Sequence, residues 1–392
     1  MHLLIMMPYP QGSGLAWTYI ERVVNDLSHR WRDRGDECTI AYPRISPSSS
    51  EFSATTNVIA RMFYGTAVGA TVENARWMRE KGITHLYLAE HAAFDWRFAL
   101  YRSYANVKIA VHYHHAGGRS KPYTGFAGTL RAGRSAIKSA MADIAICVSR
   151  FVRDRVVTVS LVPRERCVAI YNAVIPEFFV DMRQLDTRRD AVRNAWGVAA
   201  DEIVILSGAR AAMEKGLDTL FVAFDQLCGE RSAKQARLPW VVYAGDGPDF
   251  DKLNTLRLAL QHGNRILMLG RVVDMQRLQL ASDIAVLASR CDEAFGLFAA
   301  ESMQAGLPVI VTKRGGLVEI VDDDVNGFLI DSDDVSALLQ KLRSLVEDSP
   351  LRERMGRAAI AKMRTDFDYS NMLKELDLQI RQMSVVRTTE SA

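Results

Sequence analysis

Short β-branched and apolar runs alternate with longer helical patterns along most of the chain, and this rhythm narrows the fold more than any other feature. The runs fall at Leu3–Met7, Thr39–Tyr42, His85–Ala89, Lys108–Tyr113, Ile144–Val148 and Val168–Tyr171. A second series follows at Ile203–Leu206, Trp240–Ala244, Ile266–Leu269, Ile284–Leu287 and Val309–Val311. Helical patterns lie between or after most of them, for example Ala16–Arg32, Leu217–Cys228 and Ser336–Glu347. Strand–helix alternation predicts α/β architecture, with parallel sheets covered on both faces. Two consecutive series predict two doubly wound domains, and 392 residues exceed what one core usually serves. The expected domains are residues 1–175 and 176–375, with residues 376–392 crossing back to the first. The seam is expected at "YNAVIPEFF", where Asn172 and Pro176 supply turn chemistry. Ligands of open parallel sheets bind at the carboxyl ends of the strands. Two such domains facing each other predict a cleft between them.

No apolar run approaches the ~18–20 residues needed to span a bilayer. The start, "MHLLIMMPYP", lacks a basic lead and reads as a first strand rather than a signal peptide. The five cysteines are scattered without a C-x-x-C pair, which fits free thiols in a reducing cytoplasm. The net charge of +3 is uneven. Residues 1–175 hold 22 Lys+Arg and 13 Asp+Glu, giving +9; the remainder holds 27 and 33, giving −6. Between Ala116 and Ala142 there is no acid, while Arg119, Lys121, Arg131, Arg134 and Lys138 are basic. Such a stretch can meet anionic lipid or a phosphorylated acceptor; the alternative is an ordinary solvated face. Arg131, Arg134 and Lys138 share one helical face, with Leu130, Ile137 and Met141 on another. The expected location is therefore cytoplasmic, peripheral at the inner face of the plasma membrane. Nucleic acid has only this patch behind it and is not an expected partner.

The strand-end loops carry the chemistry. After Ile203–Leu206 comes "SGARAAMEKGLDTLF", with Arg210 and Lys215 five apart. A guanidinium fork and an ammonium at one sheet edge suit a diphosphate; otherwise they are two surface charges. Strand Trp240–Ala244 ends in "GDGPDF", where Gly245 lets a nucleoside approach the backbone. In "LGRVVD", Arg271 and Val272 can offer backbone groups to a base edge. Strand Ile284–Leu287 leads into "ASRCDEAFGLFAAESMQAGLPVI". Glu293 lies on the loop, Gly296 permits a turn, and a helix starts about there. The free N–H groups of Leu297 and Phe298 make an anion site at that helix start. Glu301 lies in the helix's second turn. Two buried acids need partners, and a carboxylate accepts two hydrogen bonds from a diol. A sugar nucleotide offers a hexose diol, a diphosphate and a ribose diol in a row. Glu293 is therefore expected at the hexose, Arg210, Lys215 and the helix N-terminus at the diphosphate, and Glu301 at the ribose. Exposed helix acids are the alternative.

With these residues in view, the second half resembles the nucleotide-sugar domain of the large retaining glycosyltransferase family that includes sucrose synthase and bacterial mannosyl- and glucosyltransferases. The marks are "GARAAMEKG", "AGDGP", "LGRV", the block "ASDIAVLASRCDEAFGLFAAESMQAGLPVI", "GGLVEIV" and "NGFLI". The resemblance implies the GT-B fold, two Rossmann-like domains, with Glu293 and Glu301 as the paired acids and Arg210 and Lys215 as the diphosphate cations. In the first half "PYPQGSGLAWTYIERVVNDL" is similar to the family's glycine loop and first helix, so Gly12 and Gly14 would approach the donor phosphate or the acceptor. "VHYHHAGG" ends a strand with three histidines. By the resemblance, one histidine there lies near the transferred sugar: His114 first, His115 second. A metal is not expected. Strand geometry puts only two of His112, His114 and His115 on one face, and no further cluster completes a site.

The expected reaction transfers a hexose from a UDP- or GDP-sugar to an acceptor hydroxyl of a glycan or lipid-linked precursor, as in bacterial polysaccharide synthesis. The resemblance implies retention of the anomeric configuration. No cofactor other than the nucleotide sugar itself is expected. The rivals are an epimerase or hydrolase using the same donor site, and a non-catalytic sugar-nucleotide-binding protein.

Overall fold

The computed structural model describes residues 1–11, 15–45, 56–63, 65, 67–115, 117, 140–175, 177 and 185–383. The chain divides into two compact units: Met1–Tyr171 with residues from Ser370 onward, and Asn172–Tyr369. Among the described residues each unit is built on one parallel sheet flanked by helices.

The first unit runs β1 (His2–Met6), α1 (Leu15–Asp33), β2 (Glu37–Tyr42), β3 (Asn57–Ala60), α2 (Val68–Glu80), β4 (His85–Ala89), α3 (Trp96–Ala105), β5 (Lys108–Tyr113), β6 (Ile144–Cys147), α4 (Arg150–Ser160) and β7 (Cys167–Ala169). Its strand order is β3-β2-β1-β4-β5-β6-β7. Every residue of β1 and β4 is buried, as strands covered on both faces require. Helix starts follow from capping chemistry: Asp95 accepts the Arg97 N–H ahead of α3, and Ser149 that of Val152 ahead of α4.

The second unit runs α5 (Leu185–Trp196), β8 (Val204–Gly208), α6 (Leu217–Ala233), β9 (Trp240–Ala244), α7 (Phe250–Ala259), β10 (Ile266–Met268), α8 (Met275–Leu280), β11 (Ile284–Leu287), α9 (Leu297–Gln304), β12 (Val309–Thr312), α10 (Leu317–Ile320), β13 (Gly327–Ile330), α11 (Val335–Glu347) and α12 (Ser349–Asp366). The order is β10-β9-β8-β11-β12-β13. Alternation along the strands sorts the core. Ile205, Val241 and Tyr243 meet Phe221, Phe224 and Leu227 of α6 and Leu338, Leu342 and Leu345 of α11. Val204, Leu206, Val242 and Ala244 turn to the other face, with Leu278 of α8. Each such Leu or Phe stabilises the fold by about 1.5–3 kcal/mol.

A last helix, α13 (Tyr369–Gln382), belongs to the first unit from Ser370 on. Its Arg381 donates to Asp36, stacks 4.1 Å over the Trp31 ring, and bonds the buried Asp377 at 2.6 Å. No described helix is long and apolar enough to cross a membrane.

In both sheets the order reverses once, between β1 and β4 and between β8 and β11. At such a switch point neighbouring strands send their following loops to opposite faces and leave a crevice at their carboxyl ends. At the amino ends of the same two strands, β8 and β11, Asp283 holds α5 in place. It accepts from Arg193 at 2.6 Å, Arg189 at 2.5 Å and the Val204 N–H at 2.7 Å, and Arg193 is 1% exposed. Replacing Asp283 by Ala strands a buried guanidinium. It should lower the unfolding free energy by about 3–5 kcal/mol in urea titrations followed by circular dichroism. A loss under about 1 kcal/mol would show the ion network to be a surface ornament.

Candidate functional site

The β8 and β11 loops meet at the switch point of the second sheet. After β8 the chain makes a tight turn over Met213–Lys215, closed by Lys215 N–H to Ala212 O at 2.9 Å. Gly216 follows at φ +65, and a Cβ there would be driven into the Ala288 carbonyl oxygen. Only glycine permits both the left-handed backbone and this approach. The loop is laced to its neighbours. Met213 N–H donates to Asp249 Oδ2 at 2.8 Å, and Ala211 N–H to Asp246 O at 2.9 Å. Arg290, on the β11 loop, grips Asp218 through two bonds of 2.8 Å and also donates to Met213 O and Thr219. Its hydrogen bonds to Asp218 hold the guanidinium well above the ordinary arginine value, so the clamp stays charged.

This lacing delivers Lys215 to Glu293: Nζ lies 2.7 Å from Oε1, with both side chains less than a fifth exposed. Ser289 Oγ donates to the same oxygen at 2.6 Å, and Lys215 Nζ reaches Cys291 Sγ at 3.5 Å. Burial by itself pushes the Lys215 ammonium down, and the Glu293 charge and hydrogen bond more than offset it, so its pKa is raised. The Glu293 backbone is fixed as well. Gly316 N–H donates to Glu293 O at 2.7 Å, and at Gly315, φ +59, a Cβ would strike that oxygen. Thr312 and Ser332 hydroxyls hold Ser289 O at 2.6 and 3.2 Å.

Gly296, at φ +101, precedes α9, whose Phe298 packs against the second core face and over Gly208. Glu301 sits in the second turn. Burial pushes its carboxyl up to about 7, and a hydrogen bond from Gln279 pulls the other way. Gly245 N–H bonds Gly270 O at 2.8 Å, joining the β9 and β10 ends. Val272 packs on the core rim while Arg271 is exposed. Arg210 is not brought to Glu293: it is 62% exposed and pairs with Glu214 at 2.8 Å. Gly12 and Gly14 lie outside the described residues, as do Arg119, Lys121, Arg131, Arg134 and Lys138.

In the first unit the β5 end carries the histidines. His112 and His114 share a face, with ring centroids 4.0 Å apart, and Tyr87 OH bonds His112 Nδ1. Burial holds His114 down to about 3 and His112 well below the ordinary value, so both rings are neutral. Glu90, beyond β4, accepts the His114 N–H at 3.1 Å. Sequence reading passed over Ser289, Arg290, Asp249 and Glu90. Ser289 and Arg290 stand four and three places before the acid pair's first member, where a hydroxyl and a cation close to a carboxylate were the available signal. Among the described residues no group of three or more His, Cys, Asp or Glu is placed to hold a metal ion. Chemically, the carboxyl end of the second sheet presents an ammonium and a carboxylate fixed against each other, with the buried Ser289 hydroxyl bracing the carboxylate from behind.

Residues 20–178 match the family model "Glycosyltransferase Family 4", and residues 188–362 match "Glycosyl transferases group 1". An uncharacterised glycosyltransferase of Methanocaldococcus jannaschii is 28% identical over 232 residues, 59% of this chain and 57% of that protein. The chain thus spans about half the length of the curated relatives it matches. Among solved structures, a glycosyltransferase of Rickettsia africae superposes with TM-score 0.79 at 17% identity, covering 98% of this chain and 99% of that one. Anabaena Alr3699/HepE, solved in complex with UDP, gives TM-score 0.76 at 19% identity, covering 97% and 100%. At these identities the likeness speaks for the fold.

Glu301 makes the stability of the site depend on pH. Its folded pKa lies above that of an exposed glutamate, about 4.3. The contribution of the neutral carboxyl is therefore full below about pH 4 and lost as pH rises through about 7. Glu301→Gln should remove that loss, on the order of 1–3 kcal/mol between pH 5 and 8. Denaturant midpoints at the two pH values, compared between the proteins, measure it; parallel pH slopes would show that Glu301 is not buried as described.

Proposed function

The chain is a GT-B glycosyltransferase of the family 4 type, and from that premise we propose that it moves a hexose from a UDP- or GDP-sugar to an acceptor hydroxyl with retention at the anomeric carbon. The observation that carries the reading is the Lys215–Glu293–Ser289 constellation, held beside the start of α9 at the switch point. The difficult event is departure of the nucleoside diphosphate with its growing charge. Lys215 uses one N–H on Glu293 and one on Cys291, which leaves the third for a phosphate oxygen. The N–H groups of Leu297 and Phe298 add donors that need no reorganisation. Arg210 is tied only by an exposed pair worth at most about 1 kcal/mol, so a diphosphate can draw it over. Glu293 takes the hexose hydroxyls, and Glu301 the ribose diol. Gly245, Arg271 and Val272 line the nucleoside end; the roles of Gly12 and Gly14 rest on the resemblance of their loop alone.

With Glu293 engaged by Lys215 and Ser289, it is poorly disposed as a nucleophile. Front-face attack therefore fits, with a donor phosphate oxygen receiving the acceptor proton. His114, neutral and partly shielded, orients the sugar. No metal is needed for charge that Lys215, Arg210 and the helix start can meet. UDP in the Anabaena protein's complex supports a uridine donor. The acceptor is a glycan or a lipid-linked precursor at a membrane surface; the acid-free, basic composition of residues 119–138 suits anionic lipid.

Calorimetry against UDP- and GDP-linked glucose and mannose should show one donor binding, and proton NMR of the product should show the donor's anomeric configuration. Lys215→Ala should cut turnover by about 10²–10³-fold, the loss seen when a charge-stabilising donor is removed. No heat with any nucleotide sugar, or unchanged turnover in Lys215→Ala, ends the proposal. A product carrying the label on water alone, or an epimerised donor, would point to the rival chemistries.

A further inference from the structure

The β4–β5 edge of the first unit holds a carboxyl that the transfer reaction does not use. Glu90 follows the last residue of β4 at φ +63, a left-handed backbone that glutamate adopts only under constraint. Its own N–H donates to His112 O at 2.8 Å. Its Oε2 accepts the His114 N–H at 3.1 Å, and its Oε1 lies 3.1 Å from His115 Nε2. Gly117 N–H donates to His115 Nδ1 at 2.9 Å. A neutral His115 ring therefore carries its proton on Nε2 and gives it to Glu90. One side chain thus grips consecutive residues, the first by its main chain and the second by its ring. The His114 ring lies against His112, and the Nε2 atoms of both are buried with no partner among the described residues. Among the described residues nothing tethers the tip of that ring, and its place follows the main chain that Glu90 holds.

Resting on the reading of His114 as the sugar-side histidine, we propose that Glu90 is a positioning residue: its carboxyl locks the 114–115 turn, and one proton on that carboxyl sets how firmly the His114 ring is held. As a carboxylate it accepts both N–H groups. Once protonated, the carboxyl carries one O–H and keeps one full acceptor oxygen, so it no longer holds both N–H groups equally and the grip on the turn weakens. Burial favours the protonated form and pushes the carboxyl up to about 8, and the His114 N–H pulls the other way. The other titratable or charged groups around it are Tyr19 on α1, Tyr87 on β4, His91 beside it in sequence, His112, Tyr113 and His114 at the end of β5, and Arg155 on α4, which donates to Gly117 O at 3.4 Å. Burial pushes the Tyr87 and Tyr113 phenols far up and the His91, His112 and His114 imidazoles down. Those five stay neutral through pH 8.

The test needs no nucleotide sugar, so its failure and that of the transfer reaction are separable. The full chain is labelled with 15N-histidine at its eight histidines, and the His114 amide is assigned with a His114→Asn variant. Between about pH 6 and 9 the wild-type His114 amide should move through one step with its midpoint near 8. Glu90→Gln, equal in shape and unable to ionise, should abolish the step while the amides of His2, His29, His85 and His262, which do not contact Glu90, keep their positions. Should that variant fail to fold, Glu90→Asp stays ionisable but falls short of His115, and the midpoint should move. A flat wild-type amide, a step that survives in Glu90→Gln, or an unmoved midpoint in Glu90→Asp overturns the assignment; a carboxyl that merely fills space would give those results.

Discussion

An ammonium and a carboxylate meet at 2.7 Å in the second unit because two loops are allowed to touch. The contact needs a residue without a side chain at Gly216, where the β8 loop presses on the Ala288 carbonyl. It needs Arg290 to bind Asp218 on one side and Met213 on the other. It also needs Gly315 and Gly316 to close on the Glu293 backbone from the β12 side. Take away one partner of a half-buried pair and the other is left desolvated, at a cost of several kcal/mol. The site is therefore assembled before any ligand arrives, and what a ligand meets is fixed polarity rather than mobile side chains. Such preorganisation is what makes hydrogen-bond donors effective against developing charge.

The two units handle carboxyl groups in a parallel way. Glu293 is neutralised by an adjacent ammonium. Among the described residues Glu301 and Glu90 pair with no lysine or arginine and are instead pushed toward neutrality by burial, to about 7 and about 8. A carboxyl near its own pKa can either donate or accept, which suits hydroxyl-rich partners better than a fixed charge does.

Much of this was legible beforehand, and for physical reasons. Parallel strands covered on both faces are written as dense apolar runs, so β1, β4, β5, β8, β9 and β11 stood out within a residue or so of their ends. β3 and β13 did not. β3 is a four-residue run with exposed ends, and β13 opens on a glycine, so neither carries the apolar density of a central strand. The acid pair was readable because its members flank a glycine turn and a helix start. Arg210 shows the limit of such reading. Five positions from Lys215 in a short loop, it is expected at the diphosphate, and the turn over Met213–Lys215 leaves it exposed and paired with Glu214, a contact the sequence does not announce. Glu90 was invisible because its partners, His114 and His115, lie a strand away; sheet register, not sequence, makes them neighbours.

The last helix carries a different lesson. Arg381 and Asp377 of α13 close on Asp36 and Trp31 near the other end of the chain, so the first unit is discontinuous in sequence. During synthesis from the amino terminus, its final helix emerges only after the entire intervening unit has left the ribosome. The nascent first unit must wait with the Trp31 face uncovered, and a gene cut at the linker after Tyr171 would express a half that never receives its lid. Swapping halves between relatives to exchange specificities would have to carry the tail along with the head.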